Sequence, residues 1–343
     1  VFHELDLTNF IQSGEQWFGE IFDAEKEQII PFSFPNIDQN SEIHLRSSVA
    51  ARASLPSSFS FFHNNIEIMT SNLNSVTSSS QTDYASVFTN SSVFQSNSDV
   101  LDINVRYNRQ SSSHKGWLDY IELSGIRQLI MNGNQMNVRK TINSLEDHRC
   151  SLVVKNISNS HRVWNITDPL NIKEHELESY SATEYSFDYD VFSGISDEKF
   201  ILFDNVNFLS PQLEGQIQNQ NLHAASDFDM LIVSHSDFLS AANLLADFHS
   251  QNSGRSCNIV TPQQIYNEFS SGKQDISAIR DYCRYLYNIN TKFKYLLIIG
   301  DASYDPKDRL QLNTNFVITY QSNNSISPLN TFATDDYFGY LDD

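Results

Sequence analysis

Two rhythms of apolar and polar positions divide the chain. From residue 1 to about 215, apolar residues come in short runs, several of them alternating with polar ones, between stretches rich in Ser and Asn. EIHLRSSVAARA (42–53), SFSFFHNNIEIM (58–69), VLDINVRYN (100–108), WLDYIEL (117–123), SLVVK (151–155) and KFILFD (199–204) combine β-branched or aromatic residues with turn formers nearby. Period-two alternation buries one face of a strand and wets the other, so these runs predict strands. Their recurrence predicts a β-sandwich-rich region over 1–215. Residues 71–99 look like low complexity but are punctuated by Val76, Tyr84, Val87, Phe88, Val93 and Phe94, which predicts edge strands and loops.

Residues 216–343 follow the other rhythm. FDMLIVSH (228–235), SCNIV (256–260) and YLLIIGD (295–301) are near-continuous apolar strands. A helix over 237–250 would place Phe238, Leu239, Ala242, Leu245 and Phe248 on one face, with Ser236 or Asp237 as its cap and Gly254 past its end. Thr261-Pro262 has the cap-then-proline order that opens a helix, and Asp275 begins another whose stripe is Ile276, Ile279, Cys283 and Leu286. Strand–helix alternation with buried-type strands predicts a parallel sheet covered on both faces. NFVITY (315–320) is a candidate fourth strand, after which the pattern stops at YFGYLDD with an open edge; the expectation is an α/β domain that continues elsewhere. The opening VFHELDLTNF has neither Met nor a signal pattern, so the chain is expected to be a mature product or a fragment.

Composition narrows the chemistry. The 343 residues carry 42 acidic against 22 basic side chains, a formal net charge of −20. A surface of that sign repels phosphate backbones and no basic cluster offsets it, which argues against nucleic acid as a partner. No apolar run reaches the length of a membrane-spanning helix. Cys150, Cys257 and Cys283 are too few and too far apart for a disulfide framework or a CxxC metal site.

Catalytic groups in open α/β sheets gather where strands end at their carboxyl edge. Those positions are Ser234 and His235 after the first parallel strand, and Gly300, Asp301 and Asp305 after the third. His235 has the position of a general base, and the carboxylates could line a cleft wall; structural roles are the plainer alternative for each. Cys283 lies on a buried helical stripe and Cys257 at the wrong end of its strand, so the thiols read as structural rather than nucleophilic. Asp335, Asp336, Asp342 and Asp343 crowd four carboxylates around aromatic residues; they predict either a solvated acidic loop or a structural Ca2+ site.

Several stretches together resemble the gingipain-like sortases of the type IX secretion system, members of the C25 family of cysteine peptidases. WFGEIFD with PFSFPNID, and VRYNRQSSSHKGWLDYIELSGIRQL (105–129) with NGNQMNVRK, are similar to the family's β-rich opening. KYLLIIGDASYDPKDR (294–309) and TYQSNNSISPLNTFATDDYFGYLDD (319–343) resemble its strand–Gly-Asp turn and the acidic-aromatic loop that follows. The resemblance implies a β-sandwich-rich amino-terminal region followed by the first half of a caspase- or gingipain-like α/β domain. It implies a cysteine peptidase acting as a transpeptidase, which removes carboxy-terminal sorting domains from secreted cargo and joins the cargo to lipopolysaccharide. The family's Cys and His fall downstream of the acidic-aromatic loop and so onto no position here. Asp301 would help form the active-site wall, and the tail aspartates match a loop that resembles a metal-holding element in relatives. No cofactor is required for the chemistry. An outer-membrane β-barrel shuttle and other attachment-complex components are the implied partners, on the extracellular face of the bacterial outer membrane. A non-catalytic scaffold docking a β-barrel partner and a conventional secreted endopeptidase are the alternatives.

Overall fold

Strand Val100–Asn108 buries Leu101, Ile103, Val105 and Tyr107 and turns the residues between them toward solvent, the alternation expected of a sandwich strand. In the computed structural model, which describes residues 1–77, 79, 81–144, 146–192, 194–206, 208–224, 227–311 and 314–342, this strand belongs to the first of two sandwiches. One sheet runs Phe2–Glu4, Lys115–Ser124, Ile43–Arg52, Ser86–Phe94, with Ile21–Phe22 also paired to Lys115–Ser124. The other runs Glu27–Ser33, Val100–Asn108, Ser57–His63, Ile66–Leu73. Both contribute to a core that includes Phe22, Leu45, Val49, Phe59, Phe61 and Leu118. The run 58–69 is a hairpin rather than one segment: Asn64 and Asn65 take left-handed φ values of 51° and 62°, the backbone that a two-residue turn requires. Within 71–99, Ser86–Phe94 forms an edge strand, as expected.

A second core, with Met136, Val138, Val154, Val163, Phe187 and Phe200, lies between two smaller sheets. Gln135–Ser144, Gly194–Asp204, His161–Asn165 and Lys173–His175 form one; His148–Lys155, Glu184–Val191 and Glu178–Ser179 form the other. Past it, residues 208–219 adopt neither helix nor strand. The chain is caught again at 220–223, where the Glu268 carboxylate accepts from Gln220 Nε2, Leu222 N and His223 Nδ1, each at 2.8 Å.

The α/β unit is a three-stranded parallel sheet ordered Cys257–Val260, Met230–Ser234, Tyr295–Ile299. Its central strand is buried at every position. Helices α2 (Pro262–Phe269) and α3 (Ile276–Ile289) cover one face, α3 burying Ala278, Ile279, Tyr282, Cys283 and Leu286. Thr261 caps α2 in a reciprocal box with Gln264, and the Asp275 carboxylate caps α3 by accepting from Ser277 N.

Two expectations fail here. Helix α1 (Leu239–Ser253) starts after a 3-10 turn, Ser236–Phe238, and neither Ser236 nor Asp237 caps it. Only Ala242 of α1 is fully buried, because among the described residues α1 lies on its face of the sheet without a second helix beside it, whereas α2 and α3 pack together on the other; Phe248, from the predicted apolar stripe, is 57% exposed. The second is the fourth strand: residues 315–320 do not join the parallel sheet. The Phe316 amide folds back to Asp301 O at 2.9 Å, Val317 and Ile318 drop into the α2–α3 core, and Tyr320–Gln321 pairs antiparallel with Ala333–Thr334.

Candidate active-site wall

The carboxyl ends of the central and third parallel strands are laced together where His235 N donates to Ile299 O at 3.2 Å. The His235 ring is half-buried, packs against Phe316 with centroids 5.0 Å apart, and accepts from Asp237 N through Nδ1 at 3.3 Å. Gly300 follows at φ 135°, a backbone L side chains avoid, and an added Cβ would lie 2.7 Å from Phe316 Cβ. Glycine therefore both turns the chain off the sheet and admits Phe316. Asp301 emerges beside it, exposed, with no side-chain hydrogen bond among the described residues. His235 and Asp301 thus sit on neighbouring strand ends around Phe316, one ring and one carboxylate at the expected rim.

Asp305 occupies a different setting. It is fully buried, accepts Leu310 N at 2.9 Å, and meets Arg309 Nη1 at 3.4 Å. Burial alone would raise its carboxyl, but the Leu310 and Arg309 amides and the Arg309 guanidinium outweigh it and hold the group below its ordinary value. Asp305 is the internal tie of the loop after the Gly-Asp turn rather than a rim group.

That loop is seated on the first sandwich. Arg309 also donates to Asp6 at 2.6 and 2.9 Å and lies over the Trp17 ring, 4.8 Å from its centroid. Trp17 stacks on Tyr304. Further along, Gln16 N donates to Ser325 Oγ at 2.8 Å, Glu15 N to Ser322 O at 3.0 Å, and Tyr84 N to Ile326 O at 2.7 Å. Gly14, at φ 80°, leaves no room for a Cβ beside the Asn324 carbonyl. This junction escaped the sequence reading: DPKDR hints at an i,i+4 pair, but nothing local connects it to Asp6. Around it, burial first and then neighbouring carboxylates raise Glu4 (Asp6, Asp119), while burial and Asp6 raise Asp119.

The carboxy-terminal acidic stretch is anchored by its aromatic residues. Phe338 is buried in the α/β core, and Tyr337 stacks on Tyr320, lies under Arg280 and shares a hydrogen bond with Ser277 Oγ at 3.1 Å. Asp335 accepts from Thr319 Oγ1 at 2.7 Å, Asp336 and Asp342 are exposed, and Asp343 lies outside the described residues. Among the described residues no group of three or more His, Cys, Asp or Glu side chains could hold a metal ion. An open cleft of about 780 Å3 runs between this stretch and the outer edge of Tyr295–Ile299, away from His235 and Asp301.

Two of the three thiols are raised by burial. Burial pushes Cys283 up to about 12 and raises Cys257, which sits at the amino end of its strand. Cys150 is half-buried opposite Tyr189 in the second sandwich.

Residues 223–343 match the family model for Peptidase family C25. Among solved structures, dimeric latent PorU from Porphyromonas gingivalis aligns with a TM-score of 0.85 and 25% identity, over 100% of this chain and 34% of the PorU chain. The chain therefore spans about a third of that protein's length. The carbohydrate-binding module CBM36 in complex with calcium and xylotriose covers 36% of this chain and 99% of its own, at a TM-score of 0.25 and 13% identity. The insecticidal delta-endotoxin Cry8Ea1 from Bacillus thuringiensis covers 32% and 20%, at 0.25 and 14%. No curated protein matches.

Proposed function

Taking the chain as PorU-like over its whole length, with a C25 peptidase segment at residues 223–343, we propose that it works as part of a cell-surface cysteine peptidase with sortase activity. The observation that carries this reading is the whole-chain fold match combined with the family match on the unit that bears His235 and Gly300-Asp301. In the proposed reaction a thiolate adds to the peptide carbonyl before a carboxy-terminal sorting signal, and the departing amine takes a proton from a paired histidine. An amine of lipopolysaccharide then displaces the thiol from the thioester, forming the new amide. The raised Cys257 and Cys283 thiols support a nucleophile other than these two cysteines. The roles proposed for the chain itself are to hold part of the active-site wall and to brace it from the sandwich side. No helix among the described residues is long and apolar enough to cross a membrane; attachment at the extracellular face through a β-barrel shuttle is part of the same proposal.

The test is genetic and chemical together. In a bacterium that secretes by this route, disrupting the gene should leave exported proteins with their sorting domains attached and free of lipopolysaccharide. Normally trimmed and modified cargo in that mutant would overturn the proposal.

A further inference from the structure

The segment joining the second sandwich to the α/β unit has the properties of a cleavage site. After Val206 N, which donates to Asp204 Oδ1, the next hydrogen bond among the described residues is made by Gln220. Over the intervening stretch Leu209, Leu213 and Ile217 face solvent, 84%, 89% and 62% exposed, and Phe208, 62% exposed, rests one side of its ring on Phe203 with centroids 6.0 Å apart. A backbone outside helix and strand, without hydrogen bonds and showing its side chains, is what a protease can draw into its cleft. None of the chain's 22 Lys and Arg residues lies between Lys199 and Arg255. No basic residue is on offer before a scissile bond, and the large side chains exposed there are the apolar Phe208, Leu209, Leu213 and Ile217 among amides, small residues and Glu214.

We propose that residues 208–219 are a processing site for a protease that reads a large apolar side chain before the scissile bond, and that the cut pieces stay together. Water adds across one peptide bond, leaving a new carboxylate on the leading piece and a new amine on the trailing one; the protease supplies the nucleophile. The leading piece keeps both sandwiches, and the trailing piece keeps the α/β unit with its loop. They remain joined through Arg309 on Asp6 and Trp17, Gln16 on Ser325, Glu15 on Ser322 and Tyr84 on Ile326. Two other strongly exposed apolar side chains, by contrast, sit on bonded backbone: Leu170 N donates to Asp168 Oδ1, and Tyr180 N to Glu184 O. This proposal rests on the linker and the junction alone, independently of the sortase reading.

Limited digestion of the intact chain with chymotrypsin, with trypsin as the contrast, tests it. Chymotrypsin should first yield two pieces that meet within 208–219 by mass and co-elute on gel filtration at the uncut position, while trypsin leaves the linker whole. The variant Phe208→Ser/Leu209→Ser/Leu213→Ser should keep a single cooperative melt, lowered at most by the lost Phe208–Phe203 ring contact, yet lose the first cut by about tenfold or more. In the nicked protein, Asp6→Ala with Trp17→Ala should let the pieces separate. A first chymotryptic cut inside either half, a resistant linker, or pieces of the parent protein that separate at once would each overturn the proposal.

Discussion

Replacing Arg309 by Leu would strip the fully buried Asp305 of its cation and empty the space above Trp17. Removing one partner of a buried pair leaves an uncompensated charge, so urea unfolding should show a loss of about 3 kcal/mol. Asp305→Asn keeps an acceptor for Leu310 N and should cost less. Asp305 reads in the sequence as a group beyond a strand end, which is correct as far as it goes; its burial depends on a sandwich that begins some three hundred residues earlier. Cys283 was fully legible, since helical spacing alone puts it among Ile279 and Leu286. Its thiol, pushed up to about 12, should stay unmodified by iodoacetamide in the native chain and react only in denaturant, as mass spectrometry would record.

Helices were legible where a cap and a stripe coincided. Thr261-Pro262 and Asp275 mark the starts of α2 and α3, and the α3 stripe is buried as its spacing predicts. Losing the Thr261 hydroxyl, in Thr261→Ala, should cost about 1 kcal/mol in thermal or urea unfolding. For α1, spacing was right about the helix and wrong about what it covers, because periodicity reports a face and not whether a neighbouring helix packs against it. Phe248→Ser should therefore shift stability by no more than about 0.5 kcal/mol. NFVITY misled for a related reason: a run of apolar residues signals burial equally well for a strand and for a loop that plugs a core. The Gly300 turn, by contrast, follows from its sequence position at a strand end, though only the Phe316 contact explains why alanine would not serve.

At the scale of the molecule, two sets of carboxyls set the dependence on pH. Glu4 and Asp119 are raised in the fold, so it binds their protons more tightly than the unfolded chain does, and stability grows as pH falls toward the ordinary carboxyl range. Asp305 and Glu268 are lowered; for Glu268, burial is outweighed by Gln220, Leu222 N and His223. Their contribution is complete above the unfolded value and is lost as pH drops through the folded one. Relief of a net charge of −20 acts in the same direction as the first set. The melting temperature should therefore rise from pH 7 to about 5 and fall below about 4. The division of the β half into two cores was not legible, since alternation is the same in either sandwich.

The seat of the loop on the first sandwich joins residues 242 to 318 positions apart in sequence. Closing so long a span is entropically costly and must wait until each end has a surface to offer. The sandwich is expected to collapse first, with Trp17 still facing water, and the α/β unit to form separately. Their docking would then be the last kinetic event. Stopped-flow refolding should show it as a slow change in indole emission that vanishes in Trp17→Phe, while the circular dichroism of the sheets is already complete.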